Sequence, residues 1–258
     1  MSAKTTTFFW YELMTTDLNA AAAFYGAVIG WQTRDAGQPG MRYTVFEAVG
    51  RGVGGALQLS DVCEPGADVP PAWMGYIKVD DTDAAVESLK AAGGAVHKAP
   101  QDIPGIGRFA VVADPQGGAF MLMTPHGPDQ PPVPPHTPGH VEWHELYAGD
   151  GKTIFDFYAS QFGWSKGEAL DMGEMGTYQL FAAGGPDAGG IMTKPAWFPR
   201  PFWLFYAMVD GSAEAGAARI VEHGGKVMHG PSEVPGGAWI VQATDPQGAM
   251  FAIVADRK

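Results

Sequence analysis

Phe9-Trp10-Tyr11-Glu12-Leu13 returns 133 residues later as Glu142-Trp143-His144-Glu145-Leu146. The stretch that follows returns with it. Leu13-Met14-Thr15-Thr16-Asp17, Phe24-Tyr25 and Gly30-Trp31 recur as Leu146-Tyr147-Ala148-Gly149-Asp150, Phe157-Tyr158 and Gly163-Trp164, at the same offset and without a gap. Self-similarity of this length marks a duplicated domain, so the chemistry is expected to involve both copies of the opening strand.

Outward from that strand, each copy keeps one plan. Residues 8–14 alternate as a strand, with Phe9, Tyr11 and Leu13 on a helix-facing core side and Trp10, Glu12 and Met14 on the other. Thr16 or Asp17 can cap a helix over about residues 18–29, which Gly30 ends. Three short strands are expected next, near 31–33, 43–48 and 55–59. The plan then restarts at Trp73–Val79, with a helix from Asp81 or Thr82 closed by Gly93-Gly94, and three more strands. Asp114-Pro115-Gln116-Gly117 forms a tight turn between the last two. The second copy runs the same way, and its final turn is Asp245-Pro246-Gln247-Gly248. The fold class is α+β: four strand–helix–three-strand modules of about 60 residues, two per domain. The domains are expected at 1–124 and 140–258, joined by a Pro-rich linker, 125–139, whose seven prolines make it semi-rigid and extended with nothing to bury.

Composition excludes several functions. A net charge of −12 without Lys/Arg clusters argues against nucleic-acid and anionic-membrane partners. Cys63 is the only cysteine, so no intrachain disulfide or Cys-based zinc site can form, and no base is placed to make it a nucleophile. Met1 to Thr7 carries one Lys and no apolar run, so no signal peptide is expected. No apolar run approaches a membrane span. A cytoplasmic protein with a small-molecule ligand is the expectation.

With these residues in view, the chain resembles the vicinal oxygen chelate superfamily of glyoxalases, bleomycin-resistance proteins and extradiol dioxygenases. The resemblance covers nearly everything outside the linker. Trp-x-Glu-Leu with Arg108-Phe109-Ala110-Val111 and Asp114-Pro115-Gln116-Gly117 is closest to its tandem two-domain glyoxalase branch. It implies that paired modules build cupped eight-stranded sheets, helices on the convex side, with a ligand and in the metalloenzymes a divalent cation in the concavity. At the positions where those enzymes place metal ligands, this chain offers Trp10, Gln58, Met74 and Met121, then Trp143, Thr193, Leu204 and Ala252. Divalent cations of that kind take His nitrogen or carboxylate oxygen. No cofactor is therefore expected, and a divalent metal is disfavoured.

Glu12 and Glu145 lie two residues past the lost ligand positions and are the candidate acid/base groups. Among apolar neighbours a carboxylate would have a raised pKa. Structurally, Glu12 can instead pair with Lys78, whereas Glu145, opposite Met208, is expected to lack such a partner. Trp10, Trp143, Tyr76, Tyr206, Met74 and Met121 are the candidate ligand-binding residues, either as an aromatic box or as plugs of a pocket that lost its metal. His140 and His144 have helical metal-ligand spacing but alternate as a strand, where four residues span about 13 Å. Gly54-Gly55, Gly93-Gly94, Gly189-Gly190 and Gly224-Gly225 open no helix after a strand; they are expected to be turns that end strands or helices. Three functions fit: a metal-independent protein that binds or transforms a small carbonyl-bearing or aromatic metabolite, a non-catalytic sequestering protein, and a metal lyase or dioxygenase with atypical ligands. Whether domains pair within one chain or across a homodimer stays open.

Overall fold

A computed structural model describes residues 6–38, 40–64, 69–128 and 130–258; Met1 to Thr5, on which the leader expectation partly rests, lie outside them. The first module is β1 (Phe8–Thr15), α1 (Leu18–Ile29), β2 (Gln32–Asp35), β3 (Tyr43–Ala48) and β4 (Arg51–Gln58), followed by the short α2 (Leu59–Val62). The second is β5 (Ala72–Lys78), α3 (Thr82–Ala91), β6 (Ala95–Ile103), β7 (Gly107–Ala113) and β8 (Ala119–Pro125). The third is β9 (Val141–Ala148), α4 (Gly151–Phe162), β10 (Ser165–Asp171), β11 (Thr177–Ala182) and β12 (Asp187–Thr193). The fourth is β13 (Phe202–Met208), α5 (Ala213–Glu222), β14 (Lys226–Glu233), β15 (Trp239–Thr244) and β16 (Met250–Ala255). The fold is α+β, with two mixed sheets of eight strands in the orders β2-β3-β4-β1-β5-β8-β7-β6 and β10-β11-β12-β9-β13-β16-β15-β14. Among the described residues no helix is long and apolar enough to cross a membrane.

The helix boundaries follow from their caps. Asp17 accepts the Ala20 N–H at 3.0 Å, Asp81 that of Ala84 at 3.0 Å and Ser212 that of Ala215 at 3.2 Å. Gly30 and Gly163 end α1 and α4 at φ 92° and 70°, left-handed values that an L side chain resists.

Packing divides the chain differently from its repeat. Among the described residues, one compact unit comprises those up to 9, 74–131 and 143–203; the other comprises those in 10–73, 132–142 and 204–258. Each unit thus takes one module from each sequence copy: the second with the third, the first with the fourth. In the second of these units α1 and α5 bury Phe24, Tyr25, Val28 and Ile220 with Leu13, Phe46 and Phe251. In the other, Phe120, Tyr158, Phe162, Trp164, Phe181 and Trp203 form a continuous aromatic core, with Trp164 stacked on Phe181 at 4.3 Å.

The sequence motifs meet inside these units. Tyr158 of α4 donates to the buried Asp114 carboxylate at 2.8 Å and accepts from Trp203 Nε1 at 3.2 Å. Tyr25 of α1 repeats the arrangement with Asp245 at 3.0 Å and Trp73 Nε1 at 2.8 Å. The Phe-Tyr helix signature and the Asp-Pro-Gln-Gly hairpin are therefore partners from opposite sequence copies.

Three expectations need correction. Phe9 is 38% exposed, with its ring edge against Tyr76; Phe8 takes the buried place, because the alternation of β1 does not extend back past Tyr11. Gly54-Gly55 and Gly189-Gly190 do not end strands but lie inside β4 and β12, for a reason given below. The linker does bury something at its end: Gly139 is buried, and its carbonyl accepts Trp31 Nε1 at 2.7 Å.

Candidate functional site

Each copy of the opening strand carries a three-residue hydrogen-bond chain on the face opposite its core residue, Leu13 or Leu146. In the first, Trp10 Nε1 donates to the Tyr43 hydroxyl at 3.3 Å, and that hydroxyl donates to Glu12 Oε2 at 3.0 Å. In the second, Trp143 Nε1 donates to the Tyr178 hydroxyl at 2.8 Å, and Tyr178 is hydrogen-bonded to the Glu145 carboxylate. The two tyrosines come from equivalent strands, β3 and β11. Both glutamates are buried, at 3% and 7% exposure, while the Trp and Tyr at the outer end are half-buried. Burial, reinforced by the Glu145 carboxylate, holds the Tyr178 hydroxyl well above its ordinary pKa, so it stays protonated and donates. The expectation that Glu145 lacks a partner is thus overturned: its partner comes from β11, not from β13, where Met208 replaces the lysine of the first copy.

The glycine pairs make this chain sterically feasible. Glu12 is registered with Gly55 and Glu145 with Gly190 on the neighbouring parallel strand. A Cβ on Gly55 would lie 2.0 Å from the Tyr43 oxygen, and one on Gly190 would lie 2.1 Å from Tyr178 Cζ. Each tyrosine crosses a bare patch of backbone to reach the glutamate. The strand tolerates a poor β-former there because only glycine leaves that space.

The other candidates are distributed as follows. Tyr76 and Met121 are registered neighbours on β5 and β8, and with Met74 they are nearly sealed, at 4%, 3% and 8% exposure. Tyr76 packs between Phe9 and Phe109. Tyr206 is 2% exposed and accepts from Gln242 Nε2 at 2.6 Å. Within single units the structure joins Trp10 to Glu12, Trp143 to Glu145 and Tyr76 to Met121. Tyr43 and Tyr178, which complete the chains, were missed. Their gapless alignment ahead of the glycine pairs was the available signal.

The positions where the resemblance implies metal ligands do not suit a divalent cation. Trp, Met, Leu and Ala supply no hard donor. The two polar side chains there are engaged at helix starts: Gln58 Oε1 accepts the Leu18 N–H at 3.3 Å, and Thr193 Oγ1 accepts the Gly151 N–H at 3.0 Å. Among the described residues no three His, Cys, Asp or Glu side chains gather so that they could hold an ion.

His144 points away from Glu145, into the core. Its Nδ1 lies 2.8 Å from the Ala188 carbonyl and its ring stacks on Phe8 at 5.0 Å. Burial depresses its pKa from 6.5 to about 4. Between those values the unfolded chain binds a proton that the folded chain does not, so stability contributed above pH 6.5 is lost as pH falls toward 4. The full difference is up to about 3 kcal/mol. Denaturation midpoints taken from pH 7 to pH 4 are expected to fall more steeply for the native chain than for His144→Phe; parallel slopes would refute this assignment.

Comparison with known proteins agrees with the fold. The family model described as Glyoxalase/Bleomycin resistance protein/Dioxygenase superfamily matches twice, over residues 7–122 and 137–253. The chain is 31% identical over 249 residues to "Putative glyoxylase CFP32" of Mycobacterium tuberculosis, covering 95% of this chain and 93% of the relative. It is 32% identical over 262 residues to the anthracycline biosynthesis protein DnrV of Streptomyces peucetius, covering 96% and 93%. Among solved structures, the Mn(II)-bound glyoxalase of Novosphingobium aromaticivorans superposes with a TM-score of 0.67 at 18% identity, over 100% of this chain and 84% of that one. Two matched domains, four βαβββ modules and two eight-stranded sheets lead to one conclusion: the chain belongs to the glyoxalase/bleomycin resistance protein/dioxygenase superfamily.

Proposed function

We propose that this protein binds a small, flat, carbonyl- or hydroxyl-bearing aromatic compound against its Trp–Tyr–Glu chains, without a metal, and moves a proton on it. The observation that carries this reading is the duplicated chain itself: a buried carboxylate held by a fixed phenol, repeated in both copies with its glycine clearance intact. The donor chemistry at the family's ligand positions supports the metal-free part. The relative named for anthracycline biosynthesis supports an aromatic occupant.

The chemistry follows from the direction of the hydrogen bonds. The indole N–H of Trp143 occupies a lone pair of the Tyr178 oxygen, which turns the phenolic proton toward Glu145. Glu145, so oriented, accepts a hydrogen bond from a ligand hydroxyl. It can also take a proton from a carbon beside a carbonyl: the C–H bond breaks, an O–H forms on Glu145, and the electron pair moves onto the carbonyl oxygen. Returning the proton to another atom of the ligand completes an isomerisation without an outside reactant. Glu12 with Tyr43 and Trp10 offers the same set in the other copy.

A titration of quinizarin, a hydroxyl-bearing anthraquinone, into the full chain tests this. Binding is expected, and Glu145→Gln or Glu12→Gln is expected to weaken it about tenfold, as for loss of a charge-assisted hydrogen bond. Unchanged affinity in both variants would remove the glutamates from the site. Quinizarin has no C–H beside its carbonyls and reports binding alone, so proton transfer is read on 1-tetralone, an aryl ketone with such a C–H, as its exchange for deuterium. Exchange abolished in Glu145→Gln with some binding retained assigns proton transfer, whereas binding with no exchange in any form assigns sequestration. Stoichiometric nickel, zinc or iron in protein purified without added metal would overturn the metal-free reading.

A further inference from the structure

Trp197 is 79% exposed, the most exposed large hydrophobic side chain among the described residues. It sits on the loop Lys194-Pro195-Ala196-Trp197-Phe198-Pro199-Arg200-Pro201 that leaves β12. The loop is anchored. Lys194 N–H donates to the Ala148 carbonyl at the end of β9 at 2.7 Å, Lys194 Nζ donates to the Phe198 carbonyl, and Phe198 N–H donates to the Pro195 carbonyl at 3.1 Å. Three prolines limit its conformations further. Phe198 packs on Tyr147 at 5.7 Å and on Phe202 at 4.8 Å, and Tyr147 stacks on Phe202 at 4.9 Å. Tyr147 is two residues beyond Glu145 on the same face of β9, and its hydroxyl is near enough to Tyr178 to affect that group electrostatically.

A well-held loop thus carries a bare indole one residue from Phe198, whose ring packs on Tyr147, two residues beyond Glu145; the Trp197 and Phe198 rings are 6.3 Å apart. Exposure of one apolar side chain is ordinary by itself; an indole carried on an anchored loop next to the candidate site is different in offering a flat, pre-positioned face on which an aromatic ring can stack. We propose that Trp197 is the outer binding face of the Glu145 site, stacking on the exposed side of a flat aromatic ligand whose polar edge meets Glu145 and Tyr178. This rests on the function proposed above. It also separates the two copies, because residues 59–71, the counterpart stretch after β4, contain no aromatic residue. The Glu145 copy therefore has an aromatic outer face that the Glu12 copy lacks.

The test compares quinizarin affinity and indole emission in the full-length native chain, Trp197→Ala and Trp197→Phe. Trp197→Ala is expected to weaken binding tenfold or more, as for an aromatic anchor, and to abolish part of the ligand-induced emission change. Trp197→Phe is expected to restore most of the affinity. Its exposure means neither substitution threatens folding. If Trp197→Ala binds quinizarin with native affinity while Glu145→Gln does not, this inference fails and the proposed function stands. No binding by the native chain overturns both.

Discussion

Gly189→Ala is expected to cost about 4 kcal/mol of folding stability, at the upper end of overpacking effects, and to lower the urea midpoint accordingly. The added methyl would lie 2.0 Å from the His144 carbonyl oxygen and 2.6 Å from two atoms of the Phe181 ring. Neither can yield. The carbonyl belongs to β9, registered directly with Gly189, and Phe181 is fully buried against Trp164. Relief therefore requires β9 and β12 to separate. Gly54→Ala meets the Tyr11 carbonyl at 2.6 Å, a smaller intrusion, and is expected to cost less. Gly190→Ala differs in kind. The nearest atoms to its methyl all belong to the Tyr178 side chain, which can swing away, so ligand affinity is expected to fall with Tyr178 displaced from Glu145, and the urea midpoint to fall by less than for Gly189→Ala because no strand need move. Equal midpoints for the Gly189 and Gly190 variants would contradict this account.

The same glycines mark where the sequence stops being informative. Composition alone makes a glycine pair a turn, because glycine has no side chain to pack and weakens a strand. Only the neighbouring Tyr43, Tyr178 and Phe181, brought close by pairing distant in sequence, reverse that conclusion. Glu12 and Glu145 were legible because a carboxylate in an apolar alternation is conspicuous. Tyr43 and Tyr178 were not, since a tyrosine on a strand is ordinary packing until its hydroxyl is located. Asp17, Asp81, Ser212 and Gly30 act through contacts within a turn, so the caps could be placed from spacing. The pairing of the second module with the third could not. A repeat reports common ancestry between copies and says nothing about which copies touch.

That pairing underlies the second large effect. Asp114→Ala is expected to cost about 4 kcal/mol, because one carboxylate satisfies three donors: the Tyr158 hydroxyl at 2.8 Å, Gln116 N–H at 2.8 Å and Gly118 N–H at 2.9 Å. Asp114 is 2% exposed and Tyr158 fully buried, so water cannot readily replace it. Tyr158→Phe should cost less, about 1–3 kcal/mol, since Asp114 keeps its backbone donors and only Trp203 Nε1 loses its acceptor. Their order identifies the mechanism. If the hairpin were merely a turn, Asp114→Ala would cost no more than a lost cap, about 1 kcal/mol, and Tyr158→Phe would be independent of it. If the carboxylate ties the second module to α4, the double variant should cost clearly less than the sum of the singles, because Tyr158 has already lost its acceptor in Asp114→Ala. Asp245 with Tyr25, Gln247 N–H and Ala249 N–H repeats the arrangement in the other unit, so the same cycle there is an independent replicate. Additive costs in both cycles would mean that the aspartates stabilise their own hairpins alone, and that the modules are held by apolar packing without this polar tie.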